Sequence, residues 1–189
     1  MKKLLLALTV SAAAVAAPIA SAADYVIDTK GSHASVNFKV KHLGYSWLTG
    51  RFNTFEGKFE WDKSKPAASE IEVKIDTTSV DSNHAERDKH LRSKDFLLTD
   101  KYPTSTFKST SYKPKGEGKG ELTGEFTLRG VTKTITFPVT VIGEGKDPWG
   151  GYRAGFAGET SIMLGDYGMD GYLGNAEVVL ELNVEGVRQ

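Results

Sequence analysis

Four histidines are the side chains in this sequence best suited to bind metals or transfer protons near neutral pH: His33, His42, His84 and His90. His84 and His90 fall in one predicted helix, six residues apart, which sets their rings about 120° apart around its axis. A helical metal-binding pair has its histidines four residues apart. His33 and His42 flank a predicted strand and lie at its opposite ends. The histidines therefore predict no metal site.

The other catalytic side chains show no productive pattern. Cysteine is absent, which excludes a thiolate nucleophile, a thiolate metal site and disulfides. Carboxylates are plentiful, but nearly all fall on polar strand faces or in turns, where no burial would raise a carboxyl pKa. No serine lies in a Gly-x-Ser-x-Gly motif. We therefore expect a protein that is not an enzyme and that needs no cofactor.

Apolar side chains, many of them aromatic, share one face of the predicted strands and form the main candidate binding site. One interpretation is that they only fill a core. A barrel of about eight strands can instead leave room for one small ligand, and each buried CH₂ of such a ligand contributes about 0.8 kcal/mol. The candidate cavity residues are Phe38, Phe59, Trp61, Phe107, Phe126, Phe137, Phe156 and Leu180.

A second cluster, in residues 147–156, combines aromatic rings with Arg153 where a loop runs into a strand. A guanidinium group can hold a phosphate or carbonyl head group. Strict alternation turns Arg153 outward, so it reaches a cavity mouth only if the two preceding glycines bulge the strand. The alternative is a surface arginine that stacks on a neighbouring ring. The head-group candidates are Arg153, Trp149 and, on the predicted helix, His84 and Arg87.

The elements that must position these side chains are β-strands, because hydrophobicity alternates with a period of two over most of the chain. Alternation is strong in 32–40, 55–62, 70–76, 121–129, 132–142, 152–164 and 175–187, and weaker in 24–29, 45–52 and 104–112. Strands with one apolar face are typical of antiparallel sheets. Long strands joined by glycine-bearing turns favour a closed barrel, which has no exposed edges. We therefore predict an all-β barrel of about eight or nine strands.

One segment, from Asn83 to Phe96, breaks this alternation and predicts a short helix. Asn83 is a favourable N-cap, and Glu86 three residues later completes a pattern like a capping box. The apolar stripe of this helix is thin. We therefore expect it to lie over an end or a side of the barrel.

The N-terminus predicts export from the cytoplasm. Lys2 and Lys3 precede an apolar run, and residues 20–22 are a small-residue cleavage site, so residues 1–22 read as a signal peptide and 23–189 as one domain. The apolar run is shorter than the roughly 20 residues of a membrane span. Lys plus Arg equals Asp plus Glu, at 24 each, which argues against nucleic acid as a partner. We expect a soluble periplasmic protein that does not span the membrane.

Several segments together resemble the YceI family of periplasmic proteins, and the similarity covers essentially the whole mature chain. The segments include residues 33–38, 42–47, 83–93, 147–151 and 153–156. The resemblance implies an elongated, eight-stranded antiparallel barrel that is lipocalin-like. It also implies that the interior binds polyisoprenoid or a similar long-chain lipid, with no established catalysis.

Two functional hypotheses follow from these observations, since a third, a periplasmic hydrolase, would need a buried carboxylate or a nucleophile–base pair and the sequence shows neither. The first is a periplasmic protein that transports or stores a long-chain isoprenoid or similar amphipathic lipid, such as a quinone-like one, inside the barrel. The second is a periplasmic interaction module without lipid that partners a membrane redox protein, for which we expect a filled barrel. The sequence leaves the oligomeric state open, with a homodimer among the options.

Overall fold

The computed structural model describes residues 22–171 and 173–189. The predicted signal peptide therefore lies outside the described residues, apart from Ala22. The described strands are β1 (Ala23–Ile27), β2 (Ser35–His42), β3 (Ser46–Phe52), β4 (Phe55–Trp61), β5 (Glu70–Asp76), β6 (Val80–Asp81), β7 (Thr104–Gly116), β8 (Lys119–Leu128), β9 (Val131–Lys146), β10 (Tyr152–Met163) and β11 (Glu177–Arg188). Helix α1 spans Ala85–Arg92, and 3₁₀ turns span Pro66–Ala68, Thr77–Ser79 and Leu164–Tyr167.

Eight antiparallel strands form a closed ring in the order β1, β4, β5, β7, β8, β9, β10 and β11, and β1 pairs back onto β11. The predicted eight-stranded antiparallel barrel is confirmed. One edge of β11 pairs with β10, and its other edge is long enough to pair with two strands: Val187 lies opposite Val26 of β1, and Leu180 lies opposite Phe38 of β2. Strands β2, β3 and β6 extend the sheet from that second pairing.

The strands alternate in burial as well as in sequence. In β4, Phe59 and Trp61 are buried while Lys58 and Glu60 are exposed. The inward side chains form two apolar clusters along the barrel. One surrounds Tyr25, Phe59, Trp61 and Tyr112, and the other includes Phe96, Phe126, Tyr167 and Met169. The side chains inside the barrel are therefore apolar along its length, but they pack in two groups.

Several glycines in the wall lie directly beneath inward-facing rings. A Cβ atom on Gly50 would lie 2.9 Å from Phe38 Cε1, and one on Gly186 would lie 2.6 Å from Phe59 Cζ. Both separations are below van der Waals contact, so a side chain at either position would displace the ring. Glycine lets each ring lie close to the wall and occupy little of the interior.

Helix α1 differs from the prediction at both ends. His84 is the N-cap, and its Nδ1 accepts a hydrogen bond from the Arg87 N–H at 3.2 Å. The prediction of Asn83 as N-cap is wrong, because Asn83 has a left-handed φ of 61° that asparagine tolerates better than most residues. The helix ends at Arg92, and the following segment turns to bury Phe96.

Within residues 22–171 and 173–189, no helix has the length and hydropathy needed to cross a membrane.

An ion cluster holds together the strands at the closure of the ring. Arg153 on β10 donates from Nη1 to Asp28 and to Glu185 of β11, each at 2.6 Å, and from Nε to Asp147 at 2.9 Å. Hydrogen bonds from Arg153 and His33 hold the pKa of Asp28 well below its usual range. The cluster joins the residue after β1, the loop before β10, and two neighbouring strands.

We predict that Arg153→Ala lowers the free energy of unfolding by about 1.5–3 kcal/mol, because it removes charge-assisted hydrogen bonds to three carboxylates. Urea denaturation measures the change. Lys108→Ala is the matched control, since Lys108 pairs with Glu72 on the exposed surface, where an ion pair contributes about 0–1 kcal/mol. Equal effects of the two substitutions would contradict a structural role for this cluster.

We also predict that Asp28 makes the free energy of unfolding depend on pH. Because folding lowers the pKa of Asp28, its contribution to stability is complete above the unfolded-state pKa of about 3.9 and is lost as the pH falls below it. The unfolding free energy of the wild type should therefore fall more steeply below about pH 4 than that of Asp28→Asn. Parallel acid profiles, measured by urea denaturation at each pH, would show that Asp28 is not coupled to folding.

Candidate ligand cavity

The barrel encloses an apolar cavity of about 230 Å³. Side chains from both apolar clusters line it, including Phe59 and Tyr112 at one end and Phe126 and Met169 towards the other. For comparison, a cavity of about 150 Å³ in another protein is large enough to bind benzene. The interior is therefore incompletely filled by side chains.

The eight predicted cavity residues all line this space: Phe38, Phe59, Trp61, Phe107, Phe126, Phe137, Phe156 and Leu180. They come from seven different strands, and each occupies an inward position of its alternating strand. The alternation of apolar and polar residues along each strand places them correctly, because successive side chains of a strand point to opposite faces. That these side chains contact a lipid stays a prediction.

Aromatic packing shapes the cavity at one end. The rings of Tyr25 and Phe59 stack with centroids 4.8 Å apart, and Trp61 meets Phe156 edge to face at 5.0 Å. Trp61 Nε1 donates a hydrogen bond to Glu144 at 2.6 Å. Because this bond satisfies the polar atom of the indole, Trp61 contributes apolar surface to the cavity.

Residues outside the strands line the other end of the cavity, and the sequence analysis missed them. Leu91 lies on α1, Phe96 and Leu97 lie in the segment after it, and Met169 and Leu173 follow the Leu164–Tyr167 turn. Apart from Leu91, these residues lie in segments without regular strands, so no period marks an inward face. The only sequence signal is that they are apolar side chains in segments otherwise rich in polar residues.

The lining is almost free of polar groups. Hydroxyls of Ser69, Ser105, Tyr112 and Thr160 belong to lining residues, the lining glutamates Glu60 and Glu70 are exposed, and the described lining contains no lysine, arginine or histidine. The Ser105 hydroxyl donates to the Thr127 carbonyl at 2.7 Å and so is already used. This arrangement favours a largely apolar ligand and offers no cation for an anionic one.

The four head-group candidates lie outside the cavity lining. For Arg153 the expected placement at the mouth is corrected, because Ala154 is the inward residue here and the guanidinium faces three carboxylates instead. The irregularity in β10 falls at Gly155–Phe156, after Arg153, and so does not turn it inward. Trp149 is 79% exposed, with the Arg153 guanidinium carbon 5.8 Å from its ring centroid.

The two helix candidates, His84 and Arg87, have structural contacts. His84 caps α1, as described above. Arg87 donates from Nε to the Ser82 hydroxyl at 2.8 Å and from Nη2 to the Ser82 carbonyl at 2.5 Å. His84 therefore caps the helix, Arg87 anchors the helix to Ser82, and neither residue is part of the cavity lining.

One cluster of potential metal ligands escaped the sequence analysis, because Glu185 is far along the chain from Asp28 and His33. Asp28, His33 and Glu185 bring ligand atoms within 4.8 Å of one another. Arg153 already binds the carboxylates of Asp28 and Glu185. A metal ion there would have to compete with the guanidinium group.

Comparisons with known proteins agree with this architecture. A family model described as a YceI-like domain matches residues 25–186. A UPF0312 protein of Shewanella sp. (strain ANA-3) is 56% identical over 191 residues, which cover 100% of both chains. BcnA of Burkholderia cenocepacia has the same fold, with a TM-score of 0.75 and 24% identity over 84% of this chain and 98% of BcnA.

A second solved structure with the same fold is a polyisoprenoid binding domain from Saccharophagus degradans. Its TM-score is 0.66 at 16% identity, and the alignment covers 89% of this chain and 99% of that domain. The family model spans nearly the whole described chain, and the Shewanella relative matches it from end to end. The chain therefore belongs to the YceI-like domain family.

Proposed function

We propose that this protein binds a long-chain isoprenoid or similar amphipathic lipid, such as a quinone-like one, inside its barrel and transports or stores it in the periplasm. The observation that carries the proposal is the apolar cavity, whose lining includes every one of the eight predicted residues. The signal-peptide pattern of residues 1–22 supports the periplasmic location.

The energetics suit such a ligand. Ten buried carbons would contribute about 8 kcal/mol before the cost of association. That gain needs no charged partner, which fits a lining without basic side chains. The polyisoprenoid binding domain of Saccharophagus degradans, which shares the fold, supports the same ligand class.

The chemistry of the lining supports binding rather than catalysis. In the described lining, no histidine accompanies a serine or threonine as a general base, so a nucleophile and base pair is missing. The alternative of an interaction module without lipid predicts a filled barrel. The cavity weighs against that alternative.

Native lipid content is the direct test. We expect organic extracts of the purified native protein to yield a long-chain lipid at near-stoichiometric amounts by mass spectrometry. A mock purification from cells lacking the protein controls for carried-over membrane. Protein that contains no such lipid, and takes up none on incubation with isoprenoid alcohols or quinones, would disprove the proposal.

We predict that Phe126→Asp damages both folding and lipid uptake. Phe126 is 6% exposed, and a buried unpaired carboxylate costs several kcal/mol, comparable to the stability of a whole domain. Thermal unfolding measures the loss. Ser111→Asp is the control, because Ser111 is exposed on neighbouring β7. A wild-type melting temperature for Phe126→Asp would refute the inward assignment of this strand face.

A second substitution separates binding from folding. Val139→Phe adds a ring at a lining position where open space adjoins the wall. We expect the variant to keep a cooperative unfolding transition, because an apolar group replaces an apolar group, and to bind at least tenfold less lipid. Unchanged lipid capacity in a folded variant would place the ligand outside this cavity.

A further inference from the structure

The turn between β2 and β3 exposes three large apolar side chains, and we call residues 41–47 the hairpin tip. Leu43 is 76% exposed, Tyr45 88% and Trp47 50%. Single exposed apolar residues are ordinary on protein surfaces, but three within five positions form a cluster. All three lie outside the two interior clusters and outside the cavity lining. Packing within the protein therefore does not account for them.

The backbone of this turn is better suited to a residue other than leucine. Leu43 has a φ of 51° and Gly44 a φ of 81°, and the Tyr45 N–H donates to the His42 carbonyl at 2.9 Å. Leucine is strained in the left-handed region, whereas glycine and asparagine adopt it readily. An exposed leucine at a strained position stabilises nothing within the fold, which points to a role in an interaction.

The chain around the hairpin tip is basic. Residues 29–55 contain four lysine or arginine side chains and no aspartate or glutamate. Lys39 is paired with Glu181 of β11 at 2.5 Å. Lys41 has no carboxylate partner among the described residues, and its Nζ lies 5.5 Å from the Trp47 ring centroid. One uncompensated positive charge therefore lies beside the apolar side chains of the tip.

The hairpin tip lies at the end of the barrel where the cavity approaches the surface. Val40, just before the tip, lies opposite Val178 at the start of β11, and both residues line the cavity. Leu173, in the segment that leads into β11, also lines the cavity and is 45% exposed. The exposed part of Leu173 marks a mouth of the cavity at the same end as the tip.

A lipid bilayer suits this tip better than a protein partner does. Tryptophan and tyrosine favour the membrane interface, and a lysine beside them can extend its amine to the head groups. A stable protein interface buries about 800 Å² of each partner, from roughly 20–30 residues, and a seven-residue turn offers much less. A bilayer needs no complementary shape, so a small apolar tip is enough for weak, reversible attachment.

We propose that the hairpin tip inserts into the surface of a phospholipid membrane, with its three apolar side chains in the interface and Lys41 beside lipid phosphate groups. Docking brings the Leu173 mouth of the cavity to the bilayer, so that a lipid can pass between membrane and barrel. Apolar insertion provides most of the attraction, because Asp170, exposed in the segment that contains Leu173, partly offsets Lys41. The passage of lipid rests on the proposed lipid-binding function, whereas docking itself does not.

Vesicles made of equal amounts of phosphatidylcholine and phosphatidylglycerol test the docking, with cosedimentation as the measure of binding. Trp47 reports insertion directly in the Trp149→Phe variant, since the remaining tryptophan, Trp61, is buried. We expect vesicles to shift its emission to shorter wavelength and brominated lipids to quench it.

Two substitutions at the tip separate docking from folding. Leu43→Asn should keep or raise the melting temperature, because asparagine tolerates the left-handed φ, yet lower vesicle binding at least fivefold. Tyr45→Ser should lower vesicle binding by a similar factor at an unchanged melting temperature. Lys41→Gln should weaken binding to the mixed vesicles by roughly fivefold at most, the effect of one basic residue near an anionic surface, and leave binding to pure phosphatidylcholine unchanged.

The matched control is Trp149→Ser, which removes an exposed ring at the far end of the barrel. Trp149 precedes β10, whereas the last residue of β10, Met163, lies opposite Glu177 at the start of β11. Vesicle binding by this variant should equal that of the wild type. Unchanged binding in both Leu43→Asn and Tyr45→Ser, or Trp47 emission that vesicles do not shift, would refute docking by the tip. A wild-type dimer that the tip variants dissociate, without loss of vesicle binding, would instead assign the tip to contact between two copies.

Uptake of geranylgeraniol separates this inference from the proposed function. The wild type should extract the alcohol from vesicles, and Tyr45→Ser should do so at least fivefold more slowly while binding the same amount when it is added from ethanol. Equal extraction rates would refute a role of the tip in lipid passage. If the wild type takes up no geranylgeraniol or other isoprenoid from either source, the lipid-binding function is wrong, and the vesicle measurements still decide whether the tip docks.

Discussion

Closure of the sheet between β1 and β11 gives each of the eight ring strands two hydrogen-bonded neighbours. A closed sheet has no free edge in the ring, and it directs every apolar strand face into one interior. The closure is short, with only three paired positions between β1 and β11. The Arg153 cluster lies at this seam, where Asp28 and Glu185 come from the two sides of the joint. Charge-assisted hydrogen bonds thus reinforce the part of the ring with the fewest backbone bonds.

A closed barrel with eight large inward residues would be filled if the rings pointed to its axis. The glycines in the wall prevent this, since rings such as Phe38 and Phe59 lie over Gly50 and Gly186. The high glycine content, 20 of 189 residues, therefore has a consequence beyond the turns. Glycines in the wall allow aromatic rings to lie close to it, which leaves space along the barrel axis for a ligand.

The polar residues of the protein are separated from this interior. Arg153, Arg87 and Arg129 bind carboxylates or backbone carbonyls outside the cavity lining. The described lining has a few hydroxyls, and its two glutamates, Glu60 and Glu70, are exposed. Affinity for a ligand must then come from apolar contact, and selectivity from the few hydroxyls. This separation of charge from the cavity fits the proposed lipid-binding function, since a catalytic pocket needs buried titratable groups.

The sequence by itself determined the strands and their inward faces, because alternation is set by neighbouring residues. Phe126 and Leu180 could be placed in the interior for this reason, whereas the two-residue strand β6 is too short to show a period. Tertiary structure decided the contacts of the remaining polar residues. Arg153 faces outward as alternation indicates, but its partners Asp28 and Glu185 are brought together only by closure of the ring.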